Sequence, residues 1–592
     1  MIIVMPQVFP VFEHRAALPW CCYDIKRNKI IFRLLCPDDT EKAALIWGDP
    51  FDRHEGRWRY AEAALNRRFL GISSCIWQVE IDRPSSRRLK YGFRVKTPGG
   101  EYYFCENGIE PYEENALHNE YGQFFFPFVH EADAPQEPEW VEKTIWYQIF
   151  PERFYRKMNE NAVSPHHIED WETGKPHFNN FFGGNLAGIR EKLPWLADLG
   201  INGLYLTPVF TSPSNHKYNT TDYFSVDPHF GNTHELKTLV AEAHALNIRV
   251  MLDAVFNHAG DTHPFWQDVR ANQEQSPYRD YFRIRRFPVR QPAHNPRDLD
   301  YHTYAWVQHM PKWNTEHPAA RKYLLDCAAY WIQECDIDGW RLDVASEVSF
   351  DFWKDFTRLV RSLKKDIYIL SEIWHDASPW INAGLFDANM NYPLGYAVSD
   401  CFIEKKISPE VFTQRLFAAL SIYSNLHNRM SFNLLDSHDT DRVLTRAHGD
   451  KKAIKNAFTM LFLLPGAPCL YYGTEIGMEG FRDPDCRRPM IWNEARQDNN
   501  LRRFFQELIS FRRKFISIIN DSVVLYKKEG DVHCWEFSNS GGTLIAAYTE
   551  AAAVRDFRVP GSCVFGPEPV LNDYETGELP PYSLVVFQRR SI

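Results

Sequence analysis

The chain of 592 residues lacks any apolar run long enough to cross a membrane, because such a helix needs about 20 consecutive apolar residues. It also lacks an excess of positive charge: the formal net charge is −10, which argues against nucleic acid or an anionic membrane as a partner. No basic leader precedes the first apolar residues, and no small-residue cleavage site follows them. We therefore expect no signal peptide, no membrane contact and no nucleic-acid contact.

Cysteine pairing motifs are also missing. The chain has 12 cysteines, but they are scattered, with no C-x-x-C pair and no zinc-type spacing. In a chain of this size, free thiols in a reducing compartment are more common than a disulfide framework. The cysteines therefore predict a cytoplasmic protein.

Aromatic residues are abundant, at 15% of the chain, with 18 Trp, 28 Tyr and 42 Phe. Large cores account for many aromatics in ordinary proteins. The same side chains stack on sugar rings, so the composition makes a carbohydrate ligand an early hypothesis.

The pattern of the chain changes twice. Residues 1–130 read as short strands, including a hairpin across "PGG", and a proline-rich and acidic stretch at 131–140 reads as a linker. Residues 140–510 alternate eight short apolar strands with amphipathic helices, which is typical of a (β/α)₈ barrel. Residues 259–312 interrupt the alternation as a small inserted domain, and residues 515–592 return to strands. We predict an α/β fold: a TIM barrel between N-terminal and C-terminal β-sandwich domains.

Charged and imidazole side chains follow four of the predicted barrel strands. Catalytic residues of such barrels lie at the carboxyl ends of the strands, so groups in these positions converge on one face. The groups are Asp253 and His258 after the third strand, Arg341 and Asp343 on the fourth, Glu372 on the fifth, and His438 and Asp439 on the seventh.

Three of these carboxylates, without a metal-binding motif, point to glycoside hydrolysis. In that reaction one carboxylate attacks the anomeric carbon and another protonates the leaving oxygen. A bound metal is the alternative, because carboxylates and histidine also ligate metals. Against a metal, the sequence has no H-x-x-x-H motif and no close pair of aspartates among these groups.

Four segments resemble the signature regions of the α-amylase family of glycoside hydrolases, in order and at family-like spacing: "DAVFNH" (253–258), "GWRLDVASE" (339–347), "SEIWH" (371–375) and "LLDSHDT" (434–440). The segment "MPKWN" (310–314) resembles a fifth region found in the cyclomaltodextrinase, neopullulanase and maltogenic amylase group. The similarity extends over essentially the whole chain, including a starch-binding-type N-terminal β-sandwich.

The resemblance implies a role for each acid. Asp343 matches the family's nucleophile, Glu372 its general acid/base, and Asp439 the third acid, which binds ring hydroxyls and favours a distorted sugar. Arg341 is implied to hold Asp343 ionised. The substrate-binding residues implied are Tyr218, Asp253, His258, Tyr304, Arg341, Glu347, Trp374, His438, Asp483 and Arg487.

A calcium site found in many relatives is altered here. Its candidate residues are Asn159, Asn161, Gly183 and Asn185, and Asn185 stands where relatives have Asp. Arg156 and Lys157 add positive charge nearby, whereas a hard dication binds anionic oxygens. We therefore expect no cofactor and a degraded calcium site.

The implied activity is retaining hydrolysis of α-1,4 bonds in cyclodextrins, pullulan and maltooligosaccharides, with transglycosylation as a side reaction. An α-1,6-active oligosaccharide glucosidase and a non-catalytic glucan-binding relative are the alternatives, and retention of all three acids argues against the second. The resemblance also implies a homodimer. We expect exposed aromatics among Trp20, Trp47, Trp58 and Trp77 to be covered by the partner.

Overall fold

The computed structural model describes residues 11–70, 74–118, 122–126, 128–135, 138–157, 167–292, 295, 297–558, 561–567, 569–571 and 576–589. It divides into two compact units. One contains residues 1–136, 406–428 and 517–592, and the other contains residues 137–405 and 429–516.

The first unit begins with twelve strands. They are β1 (Cys21–Asp24), β2 (Lys29–Pro37), β3 (Lys42–Gly48), β4 (Arg53–His54), β5 (Arg57–Trp58), β6 (Ala61–Ala64), β7 (Asn66–Leu70), β8 (Ser74–Asp82), β9 (Leu89–Thr97), β10 (Gly100–Cys105), β11 (Gly108–Pro111) and β12 (Phe124–Phe126).

The second unit contains the barrel. Its strands are β13 (Trp146–Ile149), β14 (Gly203–Leu206), β15 (Phe210–Thr211), β16 (Asp222–Val226), β17 (Arg249–Ala254), β18 (Gly339–Leu342), β19 (Tyr368–Ser371), β20 (Ala388–Asn389), β21 (Phe432–Asn433) and β22 (Ala467–Tyr471).

Eight of these strands form one parallel sheet in the order β20-β19-β18-β17-β14-β13-β22-β21. A parallel bridge between Met390 and Phe432 joins its two ends, which nearly closes the barrel. The strands are apolar on both faces because side chains fill the barrel interior on one side and contact helices on the other. All eight predicted strands are present, and the predicted TIM barrel is confirmed.

The helices are α1 (Pro151–Phe154), α2 (Leu186–Leu199), α3 (Thr233–Ala245), α4 (Pro264–Asn272), α5 (Pro318–Cys335), α6 (Phe350–Leu363), α7 (Ser378–Ile381), α8 (Tyr392–Phe402), α9 (Pro409–Ile422), α10 (Asn425–Met430), α11 (Val443–Arg446), α12 (Lys451–Leu463) and α13 (Asn499–Ile519).

Local sequence signals fix the ends of these helices. The Asn232 side chain and Glu235 form a capping box at the start of α3. Ser349 caps α6 by accepting a hydrogen bond from the Phe352 amide. The insert contains the helix α4, which the weak periodicity of residues 259–312 did not indicate.

The chain ends in eight strands of the first unit. They are β23 (Val523–Glu529), β24 (Val532–Asn539), β25 (Gly542–Thr549), β26 (Arg555–Arg558), β27 (Ser562–Phe565), β28 (Val570–Leu571), β29 (Thr576–Leu579) and β30 (Leu584–Gln588).

A nine-stranded sheet combines strands of the N-terminal and C-terminal regions. Its order is β1-β2-β8-β7-β23-β24-β25-β30-β27. The link is a parallel pair between β7 and β23, with Val524 opposite Phe69. The division into domains at 1–130, 140–510 and 515–592 stays a prediction. The sheet itself places both terminal segments in one unit.

The expected exposed tryptophans are not found. Trp58 and Trp77 are buried, while Trp20 and Trp47 are partly buried. The prediction failed because packing within the β region buries two of these rings: Trp58 lies in a small core cluster with Ile46 and Tyr103, and Trp77 lies under the Arg67 guanidinium of the paired strand. The large exposed aromatics in this region are phenylalanines instead, and Phe51 is 76% exposed.

Candidate active site

Arg341 and Asp343 lie on the same side of the fourth barrel strand, facing the interior. The parallel register of β17 and β18 places Asp253 opposite Arg341. Arg341 Nη1 lies 3.0 Å from both carboxylate oxygens of Asp253 and 2.8 Å from Asp343 Oδ1. All three side chains are buried, so the ion pairs offset the cost of removing these charges from water.

Glu372 follows the neighbouring strand and binds the other end of the same guanidinium. Its Oε1 lies 2.9 Å from Arg341 Nη2 and accepts a hydrogen bond from Trp374 Nε1 at 3.0 Å. Its Oε2 accepts from the Val344 amide at 3.1 Å. One guanidinium fork therefore lies between the two acids, hydrogen-bonded to Asp343 and in ionic contact with Glu372.

Val344 has a left-handed backbone conformation, with a φ of 46°. This conformation is costly for a β-branched residue, by about 1–3 kcal/mol, and such strain is concentrated at functional sites. Here it turns the amide that follows Asp343 toward Glu372. The strained turn thus couples the positions of the two carboxylates.

Tyr218 connects the acids to His438. Its hydroxyl donates to Asp253 Oδ2 at 3.0 Å and lies 2.6 Å from His438 Nε2. The Gln148 amide nitrogen donates to His438 Nδ1 at 2.6 Å, so Nε2 carries the imidazole proton. The Tyr218 ring stacks on the His438 ring at an interplanar angle of 4°.

Asp439 lies at the other end of this network. Its Oδ2 is 3.1 Å from His438 Nε2, and its Oδ1 accepts from Arg487 Nη2 at 3.1 Å. Arg487 also pairs with Asp483 at 3.0 Å. Asp439 is more exposed than Asp343 and Glu372, which leaves it open to a ligand.

An unbroken series of polar contacts, each at 3.1 Å or less, links the predicted residues. In order it runs through Glu372, Arg341, Asp253, Tyr218, His438, Asp439, Arg487 and Asp483. The structure therefore brings together the groups that the sequence placed at separate strand ends.

The remaining predicted residues surround this series. His258 Nε2 lies 3.1 Å from the Tyr218 carbonyl oxygen, and the His258 ring stacks on Tyr304 with centroids 5.3 Å apart. Glu347 is half exposed and pairs with Lys312 at 3.1 Å. Trp374 is 40% exposed and stacks on a buried tyrosine, Tyr392, with centroids 3.9 Å apart.

Burial raises the pKa of Asp343 well above its ordinary value, against the effect of Arg341. Burial likewise raises the pKa of Asp253 to about 6, again opposed by Arg341. One guanidinium among three carboxylates leaves excess negative charge, which favours retention of a proton within the cluster. Arg341 thus acts on Asp343 in the predicted direction but does not outweigh burial.

The imidazoles of the site are neutral. Burial, together with Arg487 and Arg341, lowers the pKa of His438 well below its ordinary value. Burial lowers the pKa of His258 to about 3, and Lys312 adds to this effect. At neutral pH both rings therefore offer one donor and one acceptor.

Sequence reasoning missed several polar residues that support the site. Tyr205 donates to Asp253 Oδ2 at 2.6 Å, and Gln148 fixes the tautomer of His438. Lys312 contacts Asn257 and Glu347 together. A polar side chain within an otherwise apolar barrel strand, as in "TIWYQIFP" and "INGLYLTP", is the signal that could have identified Gln148 and Tyr205.

The described calcium candidates do not fit a dication. The Asn185 side-chain oxygen caps α2 by accepting from the Gly188 amide at 2.7 Å, and its amide nitrogen donates to Lys157. The Gly183 amide donates to Glu152. In the described part of the chain, no three His, Cys, Asp or Glu side chains are grouped to hold a metal. Asn159 and Asn161 lie outside the described residues.

Residues 148–515 match the protein family described as the alpha amylase catalytic domain. Residues 12–130 match the family described as the alpha amylase N-terminal ig-like domain. An intracellular maltogenic amylase of Bacillus subtilis is 45% identical over 483 residues, which cover 82% of this chain and 80% of that protein. A cyclomaltodextrinase of Geobacillus thermopakistaniensis is 44% identical over 506 residues, covering 85% and 84%.

The fold agrees with these matches. A solved cyclomaltodextrinase superposes with a TM-score of 0.89 at 35% identity, covering 98% of this chain and 99% of that one. Within the described residues, no helix is long and apolar enough to span a membrane. With its acids at the carboxyl ends of barrel strands and a catalytic-domain match over more than half its length, the chain belongs to the α-amylase family of glycoside hydrolases.

Proposed function

We propose that the chain is a retaining hydrolase of α-1,4-glucosidic bonds in cyclodextrins, maltooligosaccharides and pullulan. The observation that carries this proposal is the Asp343–Arg341–Glu372 arrangement, in which one guanidinium contacts both carboxylates at 2.8 and 2.9 Å. Two carboxylates on neighbouring strands are close enough for the nucleophile and acid of a double displacement. The matched relatives, a maltogenic amylase and a cyclomaltodextrinase, support the choice of substrate.

In the reactive state the one proton retained by the cluster is on Glu372, and Asp343 is a carboxylate. In the first step, Asp343 Oδ2 bonds to the anomeric carbon while the bond from that carbon to the glycosidic oxygen breaks. Among the described residues Asp343 Oδ2 has no hydrogen-bond partner, whereas Oδ1 is bound to Arg341. Glu372 transfers its proton to the departing oxygen, so the leaving sugar departs as a neutral alcohol.

In the second step, Glu372 accepts a proton from water as the water oxygen attacks the anomeric carbon. The bond to Asp343 breaks, and its carboxylate is regenerated. A sugar hydroxyl in place of water gives transglycosylation by the same route. Asp439 and the neutral imidazoles of His258 and His438 bind ring hydroxyls and favour the distorted sugar, while Tyr218 provides the surface beneath it.

Two other functions are less well supported. A non-catalytic glucan-binding protein would not need the strained Val344 turn or the shared fork between two buried acids. An α-1,6-active glucosidase would use the same acids, so only substrate preference separates it from the main proposal. The segment "MPKWN" and the N-terminal β region favour α-1,4 cleavage.

Initial rates on β-cyclodextrin, maltotriose, pullulan and starch test the proposal. We expect cyclodextrin and maltotriose to be cleaved faster than starch. Asp343→Ala should reduce every rate by on the order of 10⁴-fold or more, because no nucleophile remains. Cleavage of isomaltose alone, or equal rates for the wild type and Asp343→Ala, would contradict the proposal.

We further propose a cytoplasmic homodimer. The exposed phenylalanines Phe51, Phe125 and Phe128 of the N-terminal region support a protein contact there, in place of the tryptophans first expected. Because β7 pairs with β23, deleting residues 1–130 would open a sheet, so point changes are the better test. Phe51→Asp should shift sedimentation toward the monomer, whereas an unchanged dimer would remove Phe51 from the contact.

A further inference from the structure

An exposed aromatic surface, formed by Phe350 and Trp380, lies at the same end of the barrel as the acids. Phe350, the first residue of α6, is 40% exposed and stacks on Trp380 with ring centroids 5.4 Å apart at 22°. The helix does not need this ring for its core, because its buried face consists of other residues, including Phe352, Trp353 and Phe356. Trp380 thus backs one face of Phe350 and leaves the ring open to solvent.

The same construction occurs beside the acids. Trp374 is also 40% exposed and is backed by Tyr392, with centroids 3.9 Å apart at 8°. Its indole nitrogen donates to Glu372. Both exposed rings are therefore held rigid by an aromatic ring beneath them, which reduces the entropy lost when a ligand stacks on them.

Chain connectivity limits how far Phe350 can lie from the catalytic groups. The loop after β18 runs from Val344, which is bonded to Glu372, to Phe350 six residues later, a span of at most about 20 Å. The loop after β19 runs from Trp374 to Trp380. The loop after β18 also carries Glu347, which is half exposed and pairs with Lys312, and these charged groups can bind sugar hydroxyls.

We propose that Phe350, backed by Trp380, is a platform for a glucose ring on the leaving-group side of an α-glucan, beyond the ring that contacts Trp374. This inference rests on the proposed function, in which Glu372 protonates the leaving oxygen; Trp374 and the two loops then lie on the leaving-group side. The platform sets the preferred length of leaving group and of acceptor. Maltotriose bound with one ring on the leaving-group side, as when it is cleaved to maltose and glucose, ends before it reaches the platform.

Phe350→Ala tests the platform through the dependence of kcat/KM on chain length. We expect kcat/KM for maltoheptaose to fall by about 3–10-fold and that for maltotriose to stay within about twofold, because only the longer chain loses a stacking contact. The products of maltoheptaose should shift toward cleavage nearer its reducing end. Phe350→Trp, which keeps a flat ring, should retain the wild-type ratio.

Leu363→Ala is the matched control, because Leu363 is the last residue of the same helix and is 37% exposed at the opposite end. It should leave the ratio unchanged. An unchanged ratio in Phe350→Ala would overturn the platform, as would a change confined to sedimentation, which would make the surface a subunit contact. If the wild type cleaved neither maltooligosaccharide, the proposed function itself would fail.

Discussion

Arg341 makes more ion pairs than any other described side chain of the site. It is fully buried and contacts Asp253, Asp343 and Glu372, so a single positive charge lies among three acids. The excess negative charge favours a proton on one carboxyl and a positively charged transition state beside them. An oxocarbenium-like sugar supplies that positive charge at the step where it is needed.

Glu372→Gln tests the role of the acid separately from that of the nucleophile. The amide has nearly the same shape but cannot protonate a departing sugar oxygen, so cleavage of maltotriose should slow by about 10²–10⁴-fold. Formation of the covalent intermediate from a glucoside with an excellent leaving group should slow far less, because that group needs no proton. Single-turnover rates on both substrates measure the difference.

If Glu372→Gln slowed the reaction of both substrates equally, Glu372 would not be the general acid. Glu347→Gln is a suitable control, because Glu347 is the half-exposed carboxylate that pairs with Lys312 farther along the loop after β18. The Glu347→Gln substitution should affect substrate binding more than the protonation step.

At the residue scale the sequence indicated where the three acids lie, and their catalytic roles stay predictions; it did not indicate the polar side chains that contact them. Asp343, Glu372 and Asp439 follow apolar strands within recognisable segments. Tyr205 and Gln148 have no such marker, because their contacts with Asp253 and His438 depend on strands that are distant in sequence. Only the closed barrel brings these side chains together.

The segment that carries Tyr218 is anchored by a buried ion pair. Lys217 is fully buried in a left-handed conformation, with a φ of 65°. Its ammonium lies 2.8 Å from Asp227 and donates to the Ser212 carbonyl at 3.0 Å. A strained residue next to the sugar-binding surface persists only because these contacts hold it.

Lys217→Met should displace Tyr218 and leave Asp227 buried without its partner. We expect kcat to fall by about 10–100-fold, as small misplacements in active sites do, and the melting temperature to fall as well. Lys237→Met, on the exposed face of α3, provides the control. A loss of melting temperature with kcat unchanged would make Lys217 purely structural.

The opposite end of the barrel holds a different charge cluster. Asp338, just before β18, accepts from the Val250 amide at 2.9 Å and pairs with His244, Arg249 and Lys364. Despite burial, these partners lower the pKa of Asp338 to about 2. The stabilisation is therefore complete above the unfolded value of about 3.9 and is lost as the pH falls toward 2.

Asp338→Asn should lower the melting temperature at pH 7, where the lost contribution is about 2–3 kcal/mol. The difference from the wild type should shrink as the pH falls from about 4 to about 2, because Asp338 takes up a proton in the unfolded state there and in the folded state only near pH 2. Asp336→Asn is the control: Asp336 is exposed and also binds Lys364. A difference that did not depend on pH would show that the charge of Asp338 is not the cause.

At the scale of the whole molecule, the barrel followed from the sequence because eight apolar strands alternate with amphipathic helices. The nine-stranded sheet did not, because its join at Phe69 and Val524 connects segments more than 400 residues apart in sequence. Strand pairing over such separations has no local signal. Helix α4 was missed because it has only nine residues and two buried positions, Trp266 and Val269, which is too short a pattern to show helical periodicity.

The fold should not depend on calcium. Asn185 is occupied by the α2 cap, and Lys157 contacts the same side chain. Exhaustive treatment with EDTA should therefore leave the melting temperature within about 2 °C, since a loss of 1 kcal/mol shifts a large domain by roughly 2–4 °C. Adding CaCl₂ after EDTA should leave the melting temperature unchanged. A fall of many degrees in melting temperature that calcium reverses would contradict the prediction.

The configuration of the first product tests the central claim most directly. Asp343 and Glu372 share one guanidinium, which fits the separation of about 5–5.5 Å at which one carboxylate attacks the sugar and no water fits between. Proton NMR during the first minutes of maltotriose cleavage should show the new reducing end as the α-anomer, with the β-anomer appearing only at the rate of mutarotation. A β-anomer formed first would contradict the double displacement and with it the role of Asp343 as nucleophile.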